Sequence, residues 1–151
     1  MSTSLPPEPL STAQIACLAC IAGHMIPASA EYTVPGADDP VIMADMTASL
    51  DRDRAELRRV LDLVDQQARG PLAALPRQDQ GALLGQMRAD APATLAVVEA
   101  VVSRAYYRDP RVLAALGLEP RAPFPKGFDV PDGDWSLLDP VKARGPIWRP
   151  A

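Results

Sequence analysis

The sequence predicts an all-α fold, a compact bundle of about five to seven helices followed by an extended, Pro-rich and aromatic C-terminal tail. Three observations lead to this prediction. Apolar residues recur three and four positions apart in several segments, as they do on one face of a helix. No segment alternates apolar and polar residues for long enough to predict a strand. After Gly117, seven of the 34 remaining residues are proline, which is too many for a helix or a central strand.

The N-terminal residues 1–10 are predicted to form a loose, extended arm, because three prolines fall within them. Ser11 and Gln14 then form an S-x-x-Q pattern, in which each side chain binds the backbone N–H group of the other residue. A helix is predicted from this point to Pro27. Its apolar residues point in nearly all directions, which predicts a central position. They include Ile15, Leu18, Ile21 and Ile26.

A short helix is predicted over residues 41–50, and a longer one follows it. Asp51 is expected to cap the longer helix, because a carboxylate accepts hydrogen bonds from the free N–H groups of a first helical turn. Gly70 and Pro71 end this helix, and one further turn is predicted over residues 72–75. The apolar face of the longer helix consists of Leu57, Val60, Leu61, Val64 and Ala68.

Three more helices are predicted before Gly117. One is expected over residues 77–90, and the next begins with Pro92 as its first residue. The dipeptide Asp109-Pro110 repeats such a start with the carboxylate as cap, and Gly117 supplies the left-handed residue that ends a short helix. The apolar residues of these helices are Leu83, Leu84, Met87, Leu95, Val98, Val101, Val102, Ala105, Val112, Leu113 and Leu116.

Charge and hydropathy argue against several classes of protein. The net charge is −4, and the chain lacks the basic face of a nucleic-acid binding protein. The first 51 residues contain six acidic side chains and no Lys or Arg, whereas Sec and Tat signals need positive charge. We therefore expect a cytoplasmic protein, periplasmic only if a partner exports it. The longest apolar stretch, residues 15–30, is interrupted by Gly23 and Pro27, so no direct membrane insertion is expected.

Cys17, Cys20 and His24 are the candidates for metal or redox chemistry, because on a helix they share one face. A redox C-x-x-C pair belongs at a helix N-terminus, but this pair lies in mid-helix. Cys17 and His24 are roughly 10 Å apart along the axis, too far for one metal ion. We expect two reduced core thiols and no catalytic, cofactor-binding or metal-binding residue in this chain. A metal or redox site completed by other residues is the less favoured alternative.

The tail, residues 118–151, contains both Phe and both Trp residues of the chain. Burying such a ring stabilises a protein by roughly 1.5 to 3 kcal/mol, so we expect these rings to be covered, either by the chain's own helices or by another protein. A partner is favoured, because a Pro-rich segment loses little entropy on docking and Trp, Tyr and Arg are common interface anchors. The candidate partner-binding residues are Tyr106, Tyr107, Phe124, Phe128, Trp135, Arg144, Trp148 and Arg149.

Four segments of the sequence resemble the gluconate 2-dehydrogenase subunit 3 family. They are HMIPAS, PGADD, AYYRDPRVLAALGLEPRAPFPKG and WSLLDPVKARGPIWR, and the resemblance spans most of residues 11–149. Members of this family are small helical subunits of flavin dehydrogenases whose large subunit is a glucose-methanol-choline type oxidoreductase.

The resemblance implies a non-catalytic subunit that binds and stabilises the large catalytic subunit of an alcohol, sugar or polyol dehydrogenase. The FAD is then expected in that partner and not in this chain. The pattern of the sequence predicts the domain organisation, which is an extended arm (1–10), a helical domain (11–117) and a partner-wrapping tail (118–151). The alternative is a free-standing helical adaptor or regulator whose tail docks on a different protein.

Overall fold

The computed structural model describes residues 8–122, 124–129 and 132–145. These residues contain α-helices, 3₁₀ turns and loops but no strand, so the predicted all-α class is confirmed. The α-helices are α1 (Thr12–Met25), α2 (Pro40–Ala48), α3 (Arg54–Gln67), α4 (Arg77–Asp90), α5 (Pro92–Tyr106), α6 (Pro110–Ala115) and α7 (Asp139–Lys142). The 3₁₀ turns are Asp51–Asp53, Leu72–Ala74 and Trp135–Leu138.

The chain divides into two units, and each is described by itself. The first unit, which we call the helical body, covers the described residues up to Pro120. The second, the C-terminal unit, covers the described residues from Arg121 to Gly145. Among the helices of the described ranges, none combines the length and the hydropathy that crossing a bilayer requires.

The N-terminal arm is described only at its end, because residues 1–7 lie outside the described residues. Leu10 is buried in the core of the helical body. Glu8 accepts a hydrogen bond from Arg58 on α3, with 3.0 Å between Arg58 Nη1 and Glu8 Oε2. The last residues of the arm are therefore anchored, and the prediction of a loose arm is wrong for them.

Helix α1 begins with the predicted capping box. The Ser11 hydroxyl accepts a hydrogen bond from the Gln14 backbone N–H (3.2 Å), and the Ser11 N–H donates to Gln14 Oε1 (3.0 Å). The helix packs against α3, α4 and α5, which confirms its central position. Ile15 is exposed and not in the core. Gln14 faces the interior, where its Nε2 donates to Asp62 (2.8 Å), and the next residue points about 100° away from it.

The start of α3 differs from the prediction. Asp51 was expected to cap this helix, but the chain first forms the 3₁₀ turn Asp51–Asp53, with Asp51 in a left-handed conformation (φ +41°). Helix α3 therefore begins two residues later than expected, at Arg54, and its first turn has no side-chain cap. The turn follows Leu50, whose side chain is fully buried and fixes the position of the chain before the helix.

The core of the helical body lies between α1, α2, α3 and α5. Fully buried side chains such as Leu18, Leu61 and Val98 come from different helices and join one cluster. Each contributes about 1.5 to 3 kcal/mol through the apolar area it removes from water. Helix α4 packs along α5 with only Ala91 between them, and its Leu84 contacts the same cluster.

Helix α6 confirms two local predictions. Asp109 caps it by accepting a hydrogen bond from the Arg111 backbone N–H (2.8 Å), and Pro110 is its first residue. Gly117 follows the helix with φ +72°, a conformation that glycine adopts without a steric cost.

The C-terminal unit contains two short helices where the prolines predicted none. Asp134 accepts a hydrogen bond from the Ser136 N–H (3.0 Å) and starts the 3₁₀ turn Trp135–Leu138, which continues directly into α7. Pro140 lies in the first turn of α7, where its missing N–H group would have no helical partner. The prediction that the prolines of the tail leave no helix is therefore wrong for residues 135–142.

Candidate partner-binding site

Apolar side chains are exposed throughout the C-terminal unit. Phe124 is 88% exposed and Trp135 is 71% exposed. Soluble chains rarely leave several large apolar side chains exposed in one short segment unless another molecule covers them. We call the exposed apolar residues of this unit the tail apolar set. Its members are Phe124, Phe128, Trp135, Leu137, Leu138 and Val141.

The turn Trp135–Leu138 determines how part of this set is presented. In a 3₁₀ turn, side chains three residues apart lie almost directly above one another. Trp135 and Leu138 have this spacing, and both are exposed. The Asp134 carboxylate holds the start of the turn, and its hydrogen bonds with Ser136 lower the pKa of Asp134. The side chains of Trp135 and Leu138 are therefore exposed on the same side of a short turn, and the Asp134 cap stabilises this turn.

A second local structure holds Phe128. The Arg121 guanidinium carbon lies 4.2 Å from the centroid of the Phe128 ring, a cation–π arrangement. Arg121 also donates hydrogen bonds to the carbonyl oxygens of Ala122 (3.2 Å) and Gly127 (2.6 Å), so it closes the loop between residues 121 and 128. Phe128 is thereby fixed at the surface.

The structure separates the two tyrosines that sequence reasoning grouped together. Tyr106 is 4% exposed and belongs to the core, where burial is the main cause of a raised pKa of its phenol. Tyr107 is 55% exposed, and its ring meets that of Tyr106 edge to face with 5.2 Å between the centroids. We therefore remove Tyr106 from the candidate set, because α5 ends here and turns only one of the two rings outward.

The other predicted partner-binding residues all belong to the tail, and the structure describes four of them. Phe124, Phe128, Trp135 and Arg144 are exposed side chains of the C-terminal unit. The predicted sites Trp148 and Arg149 lie outside the described residues. Sequence reasoning missed Leu137, Leu138 and Val141, although the segment SLLDPV carries them as a run of aliphatic residues next to Trp135.

The helical body exposes a smaller apolar group of its own. Leu116 and Leu118 flank Gly117 at the end of α6, and both are exposed. The sequence pattern places Leu116 in the helix, but α6 ends before it and leaves it on the surface. Together with Tyr107, these residues give the helical body further side chains that a partner protein could cover.

The thiols of Cys17 and Cys20 are poorly suited to chemistry. Cys17 is 1% exposed, and its Sγ lies 3.8 Å from the carbonyl oxygen of Leu61. Burial, and after it the nearby charge of Asp65, raises the pKa of the Cys17 thiol far above its usual value. Burial also raises the pKa of Cys20. The thiolate that nucleophilic attack or metal binding needs is therefore disfavoured at both positions.

Within the part of the chain that the structure describes, no group of three or more His, Cys, Asp or Glu side chains could hold a metal ion. His24, the single histidine of the sequence, pairs with Gln80 of α4 and not with a carboxylate or a thiol, with 3.0 Å between His24 Nε2 and Gln80 Oε1. No family model, curated protein or solved structure matches this chain.

Proposed function

We propose that this chain is a non-catalytic small subunit that binds and stabilises the FAD-carrying, glucose-methanol-choline type catalytic subunit of an alcohol, sugar or polyol dehydrogenase. The observation that carries the proposal is the tail apolar set, in which Phe124 and Trp135 are largely exposed. Such side chains become stabilising when a second protein removes them from water.

The energetics favour a protein partner over a small ligand. Covering one large apolar side chain contributes about 1.5 to 3 kcal/mol, whereas association costs roughly 4 to 15 kcal/mol in lost freedom. Several members of the set must therefore be covered at once. Two of them, Trp135 and Leu138, lie on one turn, so their backbone loses less freedom on binding than an unstructured segment would.

The identity of the partner rests on the sequence resemblance. The segments AYYRDPRVLAALGLEPRAPFPKG and WSLLDPVKARGPIWR carry most of it, and they include every member of the tail apolar set except Phe128, which directly follows the first segment. In this proposal the catalytic subunit supplies the FAD and the redox chemistry. The small subunit supplies a folded helical body and a segment that covers apolar surface of its partner.

A pull-down experiment tests the proposal. The tagged chain is co-expressed with the glucose-methanol-choline type flavoprotein encoded nearest to it, and captured flavin is quantified by visible absorbance. The double substitution Trp135→Ala and Leu138→Ala should reduce capture by about tenfold or more, because central interface residues typically cost 1 to 2 kcal/mol each. The matched control is Tyr32→Ala, which removes an exposed aromatic ring of the helical body.

Two results would count against the proposal. Equal capture by the wild-type chain and the double variant would show that the tail apolar set does not bind the flavoprotein. Recovery of a different, colourless protein that the double variant loses would favour the adaptor alternative.

A further inference from the structure

A cleft of about 270 Å³ lies between helices α1, α4 and α5 of the helical body. Its walls combine apolar side chains, including Ile21, Leu84 and Val98, with polar ones, which are His24, Arg88 and Glu99. Apolar cavities of about 150 Å³ are large enough to bind benzene, and cofactor-sized ligands need about 300 Å³ or more. The size of the cleft therefore fits one aromatic ring system and does not fit a flavin or a nicotinamide dinucleotide.

Two glycines of α4 open the cleft on one side. Gly81 and Gly85 are one helical turn apart and both line it. A glycine inside a helix costs about 1 kcal/mol relative to alanine. The packing of the described chain does not require glycine at position 85, because a Cβ atom built there meets no atom within 4 Å. At Gly81 the nearest atom would be Cε1 of His24, at an ordinary contact distance of 3.5 Å.

A hydrogen-bond acceptor faces this space. Gln80 Nε2 donates to the carbonyl oxygens of Leu72 (3.2 Å) and Leu75 (2.9 Å), which fixes the amide so that its Oε1 is an acceptor. His24 Nε2 must then carry the proton that Gln80 Oε1 accepts. In the neutral imidazole, Nδ1 is consequently an acceptor. It lies beside Gly81, and no hydrogen-bond partner for it occurs among the described residues.

The charges near the cleft are already paired. Arg88 and Glu99 both line it, and 3.3 Å separates Arg88 Nε from Glu99 Oε1. A ligand therefore meets apolar side chains, the acceptor of His24 and an ion pair whose charges already neutralise each other, rather than an unpaired charge. This combination favours a neutral ring with one N–H or O–H donor over an ionic ligand.

We propose that this cleft receives a single Trp or Tyr side chain of the catalytic subunit, with the indole N–H or the phenol O–H donating to Nδ1 of His24. A buried aromatic anchor in a pocket is the usual form of an interface hot spot, and Trp and Tyr are the rings that bring a donor with them. The choice of the catalytic subunit as the source of the ring rests on the proposed function, whereas the ring chemistry rests on the cleft alone.

Binding of indole to the isolated full-length chain tests the ring chemistry. The amide signals of Gly81 and Gly85 in ¹⁵N-resolved NMR spectra should shift saturably with indole at millimolar concentration. The analogue 1-methylindole, which has no donor, should bind about fivefold more weakly through the loss of one hydrogen bond. No saturable shift with indole would overturn the assignment of the cleft. Equal binding of the two rings would overturn the role of His24.

A substitution that fills the cleft tests where indole binds and which molecule supplies the aromatic ring. Gly85→Leu should fold, because leucine is a better helix former and the space for its Cβ is open. It should weaken indole binding by about tenfold or more, whereas Ala82→Leu on the exposed side of the same helix should leave it unchanged.

In the pull-down, Gly85→Leu should also lower flavoprotein capture. Unchanged capture by Gly85→Leu, together with loss of capture by the Trp135→Ala and Leu138→Ala variant, would overturn the catalytic subunit as the source of the ring. The proposed function would stand in that case. Concentration-dependent self-association that Gly85→Leu abolishes would assign the ring to a second copy of the chain and likewise overturn this source.

Discussion

Arg111 joins the N-terminal caps of two helices, because its guanidinium binds both Asp39 and Asp109. Its Nη2 lies 2.8 Å from Asp39 Oδ1 and 2.9 Å from Asp109 Oδ2. Asp39 caps α2 and Asp109 caps α6, so one arginine, which lies 72 residues from Asp39 in the chain, ties the starts of two helices together. The pairs Arg108–Asp45 and Arg104–Asp53 continue the same pattern. In the first 51 residues, which contain no Lys or Arg, Asp39 pairs with Arg111 on α6 and Asp45 with Arg108 in the turn between α5 and α6.

This arrangement predicts a specific loss of stability in acid. The hydrogen bonds from Arg111 are the main cause of the lowered pKa of Asp39 and of Asp109. A carboxylate with a lowered pKa in the folded state stabilises the fold above its unfolded pKa of about 3.9, and this contribution disappears as the pH falls through the folded pKa. Arg111→Met should lower the free energy of unfolding at pH 7. Below about pH 4, the free energy of unfolding of the variant should then fall less steeply with pH than that of the wild type.

Urea unfolding at neutral and at acid pH measures this effect. The matched control is Arg59→Met, which removes an exposed pair with Glu56 on one helix face and should change stability little. An Arg111→Met chain with the same acid dependence as the wild type would show that the two caps do not depend on this arginine.

Asp109 should be more sensitive to the loss of its oxygen acceptor than to the loss of its charge. Asp109→Ala removes the cap of α6 and should cost about 1 to 2 kcal/mol. Asp109→Asn keeps a capping oxygen and should retain most of that stability. Thermal unfolding of the two variants gives the comparison. Equal destabilisation of the two variants would show that Asp109 stabilises the fold mainly through its ion pair with Arg111 and not through the helix cap.

Gln80 should be among the polar side chains that matter most for stability. Its amide satisfies two backbone carbonyls, those of Leu72 and Leu75, and also binds His24. Gln80→Leu should destabilise the fold by about 2 kcal/mol, because the carbonyls lose their donor in a buried place. Gln78→Leu, on the exposed side of the same helix, should change stability by less than about 0.5 kcal/mol. Similar unfolding midpoints for the two variants would contradict this account.

Cys17 should react only when the chain unfolds. Its burial and its raised thiol pKa both predict alkylation roughly tenfold or more slower than in the denatured chain. Cys20 is partly exposed and serves as the internal comparison, with an intermediate rate. Mass spectrometry of peptides after timed iodoacetamide treatment resolves the two sites. Rapid alkylation of Cys17 in the native chain would revive the redox alternative.

The features that sequence reasoning predicted correctly are local ones. The Ser11 and Gln14 capping box, the Asp109-Pro110 start and the Gly117 stop each depend on residues within a few positions of one another. The predictions that were wrong concern residues whose structure depends on a neighbouring element. The 3₁₀ turn that begins at Asp51 displaced the start of α3, and no propensity of a single residue indicates such a shift.

The candidate sites were only partly predictable for the same reason. The exposed rings Phe124 and Trp135 follow from composition, because proline-rich segments offer them little cover. The cleft required tertiary contacts: His24 and Gln80 are 56 residues apart in the chain, and only the packing of α1 against α4 brings them together. Neither residue carries a sequence signal for this pairing.

The central claim is that this chain is a structural partner of a flavoprotein. Its most direct test is size-exclusion chromatography of the chain alone and of the chain co-expressed with the nearest encoded glucose-methanol-choline type flavoprotein, with detection of visible flavin absorbance. We predict that the pair elutes as one complex with a flavin band, at a larger apparent size than the chain alone. A stable, colourless monomer that elutes apart from the flavoprotein would contradict the account.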